Sequence, residues 1–141
     1  MPLQNEDYLS ASIRHYNDSG RLHKSGRIDN AAYLAGYVVE CGFKAILQIH
    51  GYGAKAYGHD ITALHGKVLD LAALLSPGSS RYRTDLITDL NLNMTAWKPD
   101  MRYHRTGRVA HADVMKIMKA ATNIFDSVVA EMILDNGGLR S

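Results

Sequence analysis

The chain has 141 residues, of which 46% are apolar, and a formal net charge of +2. These totals fit one compact domain able to bury a core, and they exclude both a disordered chain and a chain-wide electrostatic signature for nucleic acid. Any basic surface must therefore be local. One cysteine, Cys41, can form no internal disulfide; lying in an apolar run, it reads as a buried, reduced thiol and points to a cytoplasmic setting. The opening "MPLQNEDYLS" has neither a basic start nor an apolar stretch of signal-peptide length, so no export is expected. The segments "VVECGFKAILQI" and "LDLAALL" are too short, and too interrupted by Glu40 and Lys44, to provide the roughly 20 apolar residues of a membrane span.

In chain order, Leu9, Ile13 and Tyr16 recur at helical spacing and predict a helix from Glu6 to about Lys24, with Glu6 and Asp7 in its first turn. "SGRID" breaks it. Asp29 reads as the N-cap of a second helix from about Asn30 to His50, with Ile28 and Tyr33 placed as a hydrophobic staple. The stripe Ala31, Leu34, Ala35, Val38, Cys41, Gly42, Ala45, Ile46 and Ile49 should make it the most buried element. "GYGAKAYGHD" reads as a loop, and Asp60 as the cap of a third helix carrying Ile61, Leu64, Val68, Leu71 and Leu75 inward, stopped by "SPGSS". A shorter helix is expected around Thr84 to Asn93, turning its Leu86, Ile87 and Leu90 inward. "TAWKPDM" is a turn region, because the proline ring pushes Lys98 away from helical geometry. The last helix has the longest pattern, with Ala110, Val114, Ile117, Ala121, Ile124, Val128 and Met132 on one stripe, ended by "DNGG". No strand is indicated. The expected fold is all-α, a bundle of four or five antiparallel helices.

One stretch stands apart. "MRYHRTGRVAH", Met101 to His111, holds three arginines, two histidines and a tyrosine where the last helix begins. As a binding surface, Arg102, Arg105 and Arg108 would contact phosphate through their planar forks, and Tyr103 would stack on a base, with His104 among them. As a solvated helix entrance, the arginines would pair with acids of neighbouring helices and Tyr103 would pack on Trp97. Within an unbroken helix His104, Arg108 and His111 would share one face, whereas residues six apart, Arg105 and His111, would point about 120° away from each other; a helix start between the latter two, which Gly107 permits, removes that obstacle.

The segment from Ile28 to Leu64 resembles the HEPN domain (higher eukaryotes and prokaryotes nucleotide-binding). Members share an alanine-rich helix with a glutamate, a lysine four residues on, a loop, and then a "H-[DS]-[IL]-x-x-L" start to the next helix; here these are Glu40, Lys44, His59, Asp60, Ile61 and Leu64. The resemblance implies a four- to five-helix up-and-down bundle, usually a homodimer. It also implies one of two functions. Many members are metal-independent RNases with an "R-x(4-6)-H" motif near the start of a late helix, copies facing each other across the dimer, and Arg105 and His111 match that spacing, with the polar Thr106 after the arginine. Histidine suits the proton of a ribose 2′-hydroxyl and arginine the charge building on phosphate. Others are non-catalytic nucleotide-binding or partner-binding modules, docking on a minimal nucleotidyltransferase or an antitoxin. No cofactor or metal is expected.

Other features carry less. "GYGAKAYG" lacks the "GK[ST]" ending of a phosphate loop and follows a helix, not a strand. His50, His59 and His65 lack the spacing of a helical metal pair, and His59 reads as capping or bridging its loop. Glu40 and Lys44 read as an i,i+4 pair if exposed, and as a means of orienting the basic cluster if buried. Met115, Met118 and Met132 read as core or as a dimer face, and Arg81 and Arg83 as an extension of basic surface.

Overall fold

A computed structural model of the chain describes residues 7–49, 58–74, 93–130 and 132, the side chains of 71–74 excepted. Among these residues all regular structure is helical, and no strand occurs. Four α-helices are described: α1 Tyr8–Lys24, α2 Ile28–Ile49, α3 Ile61–Leu74 and α4 His111–Ile124. A 3₁₀ helix, Pro99–Tyr103, precedes α4, and a π-helical turn, Phe125–Val129, continues it. The expected helix at Thr84–Asn93, the "SPGSS" stop, the "GYGAKAY" loop, Arg81, Arg83 and the "DNGG" ending lie outside the described residues, as does the predicted segment before Asp7. No helix among the described residues is long and apolar enough to cross a membrane.

Asp7 caps α1, its Oδ1 accepting from Ser10 N at 3.0 Å. The helix ends where Gly26 takes φ +79 and the amides of Gly26 and Arg27 turn back to the carbonyls of His23 and Leu22, the left-handed closure that a residue without Cβ supplies at no steric cost. The chain then reverses into α2, which α1 lines along its length. Two buried serines fasten this hairpin: Ser12 Oγ donates to the Val38 carbonyl at 2.9 Å and Ser19 Oγ to that of Ala31 at 2.7 Å. Their small size lets the two backbones approach.

Helix α2 is the centre of the molecule, touched by α1, α3, α4 and the 3₁₀ helix. The expected single stripe is too narrow a description. From Val38 to Leu47 every residue is buried, on all faces, while Ile49 at the end of the stripe is 49% exposed and Leu34 only half-buried. A helix walled on several sides buries residues that one-face periodicity leaves out, here Val39, Phe43 and Leu47. Gly36 and Gly42 mark two close approaches. A Cβ at Gly36 would collide with the Trp97 indole, and one at Gly42 would lie 2.6 Å from Ile124 of α4.

The α4 stripe packs as expected from Val114 through Ile117, Ala121, Ile124 and Val128 to Met132, all buried. Ala110 instead is the exposed N-cap. Of the methionines, Met132 is core, Met118 half-buried and Met115 45% exposed. The π-helical turn directs Phe125 onto Tyr16 of α1, rings stacked with centroids 4.0 Å apart. Helix α3 begins and packs as its spacing predicts: Asp60 Oδ1 accepts from Ala63 N at 3.0 Å, and Ile61, Leu64 and Val68 are buried.

Candidate nucleotide or RNA interface

The backbone of the basic segment is anchored at both ends and at the turn between them, while most of its side chains are exposed. At its start Trp97 is buried over Gly36, its indole Nε1 donating to the Tyr33 carbonyl at 3.0 Å. Lys98 is extended (φ −149, ψ 149), as a residue before proline prefers, and Pro99 opens the 3₁₀ helix, whose Met101 is buried. At its other end Val109 packs on the core. Between them Arg105 to Arg108 form a turn closed by Arg108 N to Arg105 O at 3.2 Å, with Gly107 at φ +82, a position that disfavours residues bearing Cβ. The Gly107 amide donates to Asp29 Oδ2 at 2.9 Å. Asp29 is therefore not the N-cap expected of it. It lies in the first turn of α2, which begins at Ile28, and its carboxylate holds the basic turn in place.

Arg102 Nη1 donates to Tyr33 Oη at 3.4 Å, and its guanidinium lies 4.7 Å from the Tyr103 ring centroid. Hydrogen bonding to Tyr33 and to Tyr103 raises its pKa further. Tyr103 is 76% exposed, so it does not pack on Trp97, whose neighbour is instead Tyr37, edge to face at 5.1 Å. No ion pair joins Arg102, Arg105 or Arg108 to an acid among the described residues. A hollow of about 310 Å³ lies between this segment and the α1–α2 turn, with Arg27, Asp29, Asn30, Arg102, His104 and Thr106 on its walls. Arg102 and His104 are thus brought together, and Arg27 joins them from a place the sequence did not single out. Arg105, Arg108 and His111 are not among the lining residues; all three are exposed, and α4 starts at His111 itself. The helix start does fall between Arg105 and His111, yet no hydrogen bond connects the two within one chain.

A second polar group lies on α2. Tyr33, Tyr37, Glu40 and Lys44, at intervals of four, three and four, occupy one stripe. Glu40 and Lys44 are 3% and 6% exposed, so the pair is buried, its Nζ–Oε2 distance 3.2 Å. The other carboxylate oxygen is 2.8 Å from Nδ1 of His59, which projects from the turn before α3. Lys44 also lies 5.6 Å from the Tyr8 ring centroid. Tyr33 Oη donates to Tyr37 Oη at 3.3 Å, and the Tyr37 ring meets His59 edge-on at 5.9 Å and His15 at 5.8 Å. Burial, then the bond to Tyr33, raises the Tyr37 pKa; burial lowers that of His15 and pushes the Cys41 thiol up to about 12, leaving it protonated and inert. The row therefore runs from Arg102 through two tyrosines to an imidazole and a buried ion pair. In the sequence the row shows as polar residues at helical intervals within the apolar second helix, and its Glu40, Lys44 and His59 are positions that carry the family resemblance.

No family model matches the chain, and no curated protein or solved structure was found to be similar to it.

Proposed function

We propose that the protein is a HEPN-like helical module that binds nucleotide or RNA through its basic segment, with Arg102 and His104, joined by Arg27, as the phosphate-holding centre and Tyr103 as the stacking surface for a base. The hollow between the α1–α2 turn and the 3₁₀ helix carries this reading. It gathers two guanidinium groups and an imidazole around a space of about 310 Å³, beside an aromatic ring that is 76% exposed. Arginine forks match phosphate oxygens, and base–aromatic stacking contributes about 1–3 kcal/mol per base. Arg102 is already oriented by Tyr33, so less side-chain freedom is lost on binding.

Titration of a fluorescent, 5′-phosphorylated single-stranded RNA into the protein tests this. Saturable binding is expected to weaken with salt. Arg102→Ala should flatten that salt dependence by roughly 0.7 in log–log slope for each phosphate it leaves unneutralised, and Tyr103→Ala should weaken binding at every salt concentration. An absence of saturable binding would overturn the reading and leave a module that docks on a partner protein.

A second copy of the chain belongs to the same proposal. Arg105 and His111 do not converge within one chain, and Met115, one turn past His111 on the same face of α4, is 45% exposed, as a face for a second copy would be. A dimer by light scattering that Met115→Glu converts to monomer would support pairing there; a monomer at all concentrations would remove the motif pair from consideration.

A further inference from the structure

A second hollow, of about 540 Å³, opens between α1 and α4 and shares no lining residue with the one at the basic segment. Its two ends differ. At one, the π-helical turn lays Phe125 on Tyr16 with ring centroids 4.0 Å apart, so a stacked pair closes the cleft. Single π-helical turns are rare and occur mostly beside functional sites. Midway, the Met118 sulfur lies 3.3 Å from Ser19 Oγ, next to the buried Ala121. At the other end Arg21 and Lys24 rise from the last turn of α1, both exposed, and among the described residues no acid lines the cleft. Cations suit a helix C-terminus whatever lies nearby. Gly20, in the α1 wall, has no such explanation. Glycine inside a helix costs about 1 kcal/mol relative to alanine, and at Gly36 and Gly42 a neighbouring side chain accounts for it. At Gly20 nothing lies within 4 Å of the place a Cβ would take, and φ is not positive. Neither a turn nor a close approach requires glycine there; its effect is to keep the cleft open.

We propose that this cleft binds a small carboxylic acid with an apolar chain of medium length. The chain lies along Gly20, Met118 and Ala121 toward the Tyr16–Phe125 stack, and Arg21 and Lys24 hold the carboxylate. Binding here is independent of the RNA-binding reading. The volume is that of a small-molecule site, for which about 300–1,000 Å³ is usual. The walls are too unequal for a docked peptide helix. At 1.5 Å per residue, Tyr16 to Lys24 gives roughly 12 Å on the α1 side, whereas Met118 to Thr122 gives roughly 6 Å on the α4 side. A helix anchored at successive turns would overrun the shorter wall. A compact chain ending against the stacked rings would not. The unbranched Met118 thioether adapts its shape to an apolar guest. The fork of Arg21 matches the two oxygens of a carboxylate, and Lys24, three residues on, adds a point charge on the same side of α1.

The test is calorimetric titration of the purified full chain with decanoate below its micelle-forming concentration, beside decanol and butyrate. Saturable single-site binding of decanoate is expected, with decanol, which lacks the charge, and butyrate, which lacks the chain, each weaker by about tenfold or more. The Met118 methyl resonance should shift on the same titration. Gly20→Leu fills the cleft with a better helix former, so decanoate binding should disappear while the melting temperature does not fall. Should that variant not fold, Thr122→Phe, at an exposed position on the α4 wall, blocks the cleft from the other side and should abolish binding too. Arg21→Gln combined with Lys24→Gln should weaken decanoate by about tenfold and leave decanol unchanged. Absence of saturable binding, equal affinity for decanol and decanoate, or binding that survives both cleft-filling variants overturns the proposal. Binding of an amphipathic Leu–Glu helical peptide in place of decanoate would assign the cleft to a partner protein and overturn it as well.

Discussion

The polar row on α2 and the basic segment before α4 contain similar chemical groups in opposite environments. In the row, Tyr33, Tyr37, Glu40, Lys44 and His59 spend their hydrogen-bonding capacity largely on one another, and two of them are buried. In the basic segment the backbone is held by Trp97, Met101, Val109 and Asp29, while Tyr103, Arg105, Arg108 and His111 stand in solvent. The fold has fixed side chains in the first region and only main chain in the second. Arg102 links the two, its backbone in the 3₁₀ helix and its guanidinium on Tyr33. A charge that ligand must reach can stay hydrated until it is used, whereas a charge that sets another group's orientation must be held still.

That contrast breaks first at Glu40. Glu40→Ala strands Lys44 as an uncompensated buried charge and should cost about 3–5 kcal/mol in urea unfolding, whereas Arg105→Ala, at an exposed site, should stay within about 0.5 kcal/mol; equal effects would mean that the two regions are not distinct. Gly36→Ala comes next. Its Cβ meets the Trp97 indole, so overpacking of about 1–3 kcal/mol is expected, accompanied by a change in Trp97 fluorescence as the anchor of the 3₁₀ helix is displaced. Asp29→Ala removes the acceptor for Gly107 N–H and should cost about 0.5–1 kcal/mol, yet weaken RNA binding noticeably, since it frees the basic turn. A smaller effect belongs to His15. Its pKa is lowered by burial and by Arg14, so the unfolded chain binds more protons, and stability should fall as pH drops through the window just below 6.5. His15→Gln should flatten that part of a melting-temperature profile against pH, and an unchanged slope would contradict the assigned cause.

Much of the helical layout was legible because apolar periodicity reports burial directly. The α4 stripe and the Asp60 cap are where the spacing puts them. Asp29 was misplaced because an acid at either the cap or the first turn suits a helix start, and what decided its role was the Gly107 amide far along the chain. The breadth of α2 burial was hidden for a similar reason: how many sides of a helix are covered depends on how many neighbours surround it. At the site, a run of arginines is visible in any reading, but its partition is not. Which of them lines a hollow depends on Arg27 arriving from the α1–α2 turn and on the turn at Gly107. Glu40 and Lys44 in sequence have the spacing of an ordinary surface pair, and only the bundle around them makes them a buried support for His59.

The most direct measurement is a backbone and side-chain NMR titration with 5′-phosphorylated single-stranded RNA. Saturable shifts at Arg27, Arg102, His104 and Gly107, with Tyr103 ring resonances moving upfield, are the result predicted. Shifts confined to the surface around Tyr16 of α1 and Met118 of α4, or no saturable shifts at any concentration, would contradict the assignment of the basic segment as the binding surface.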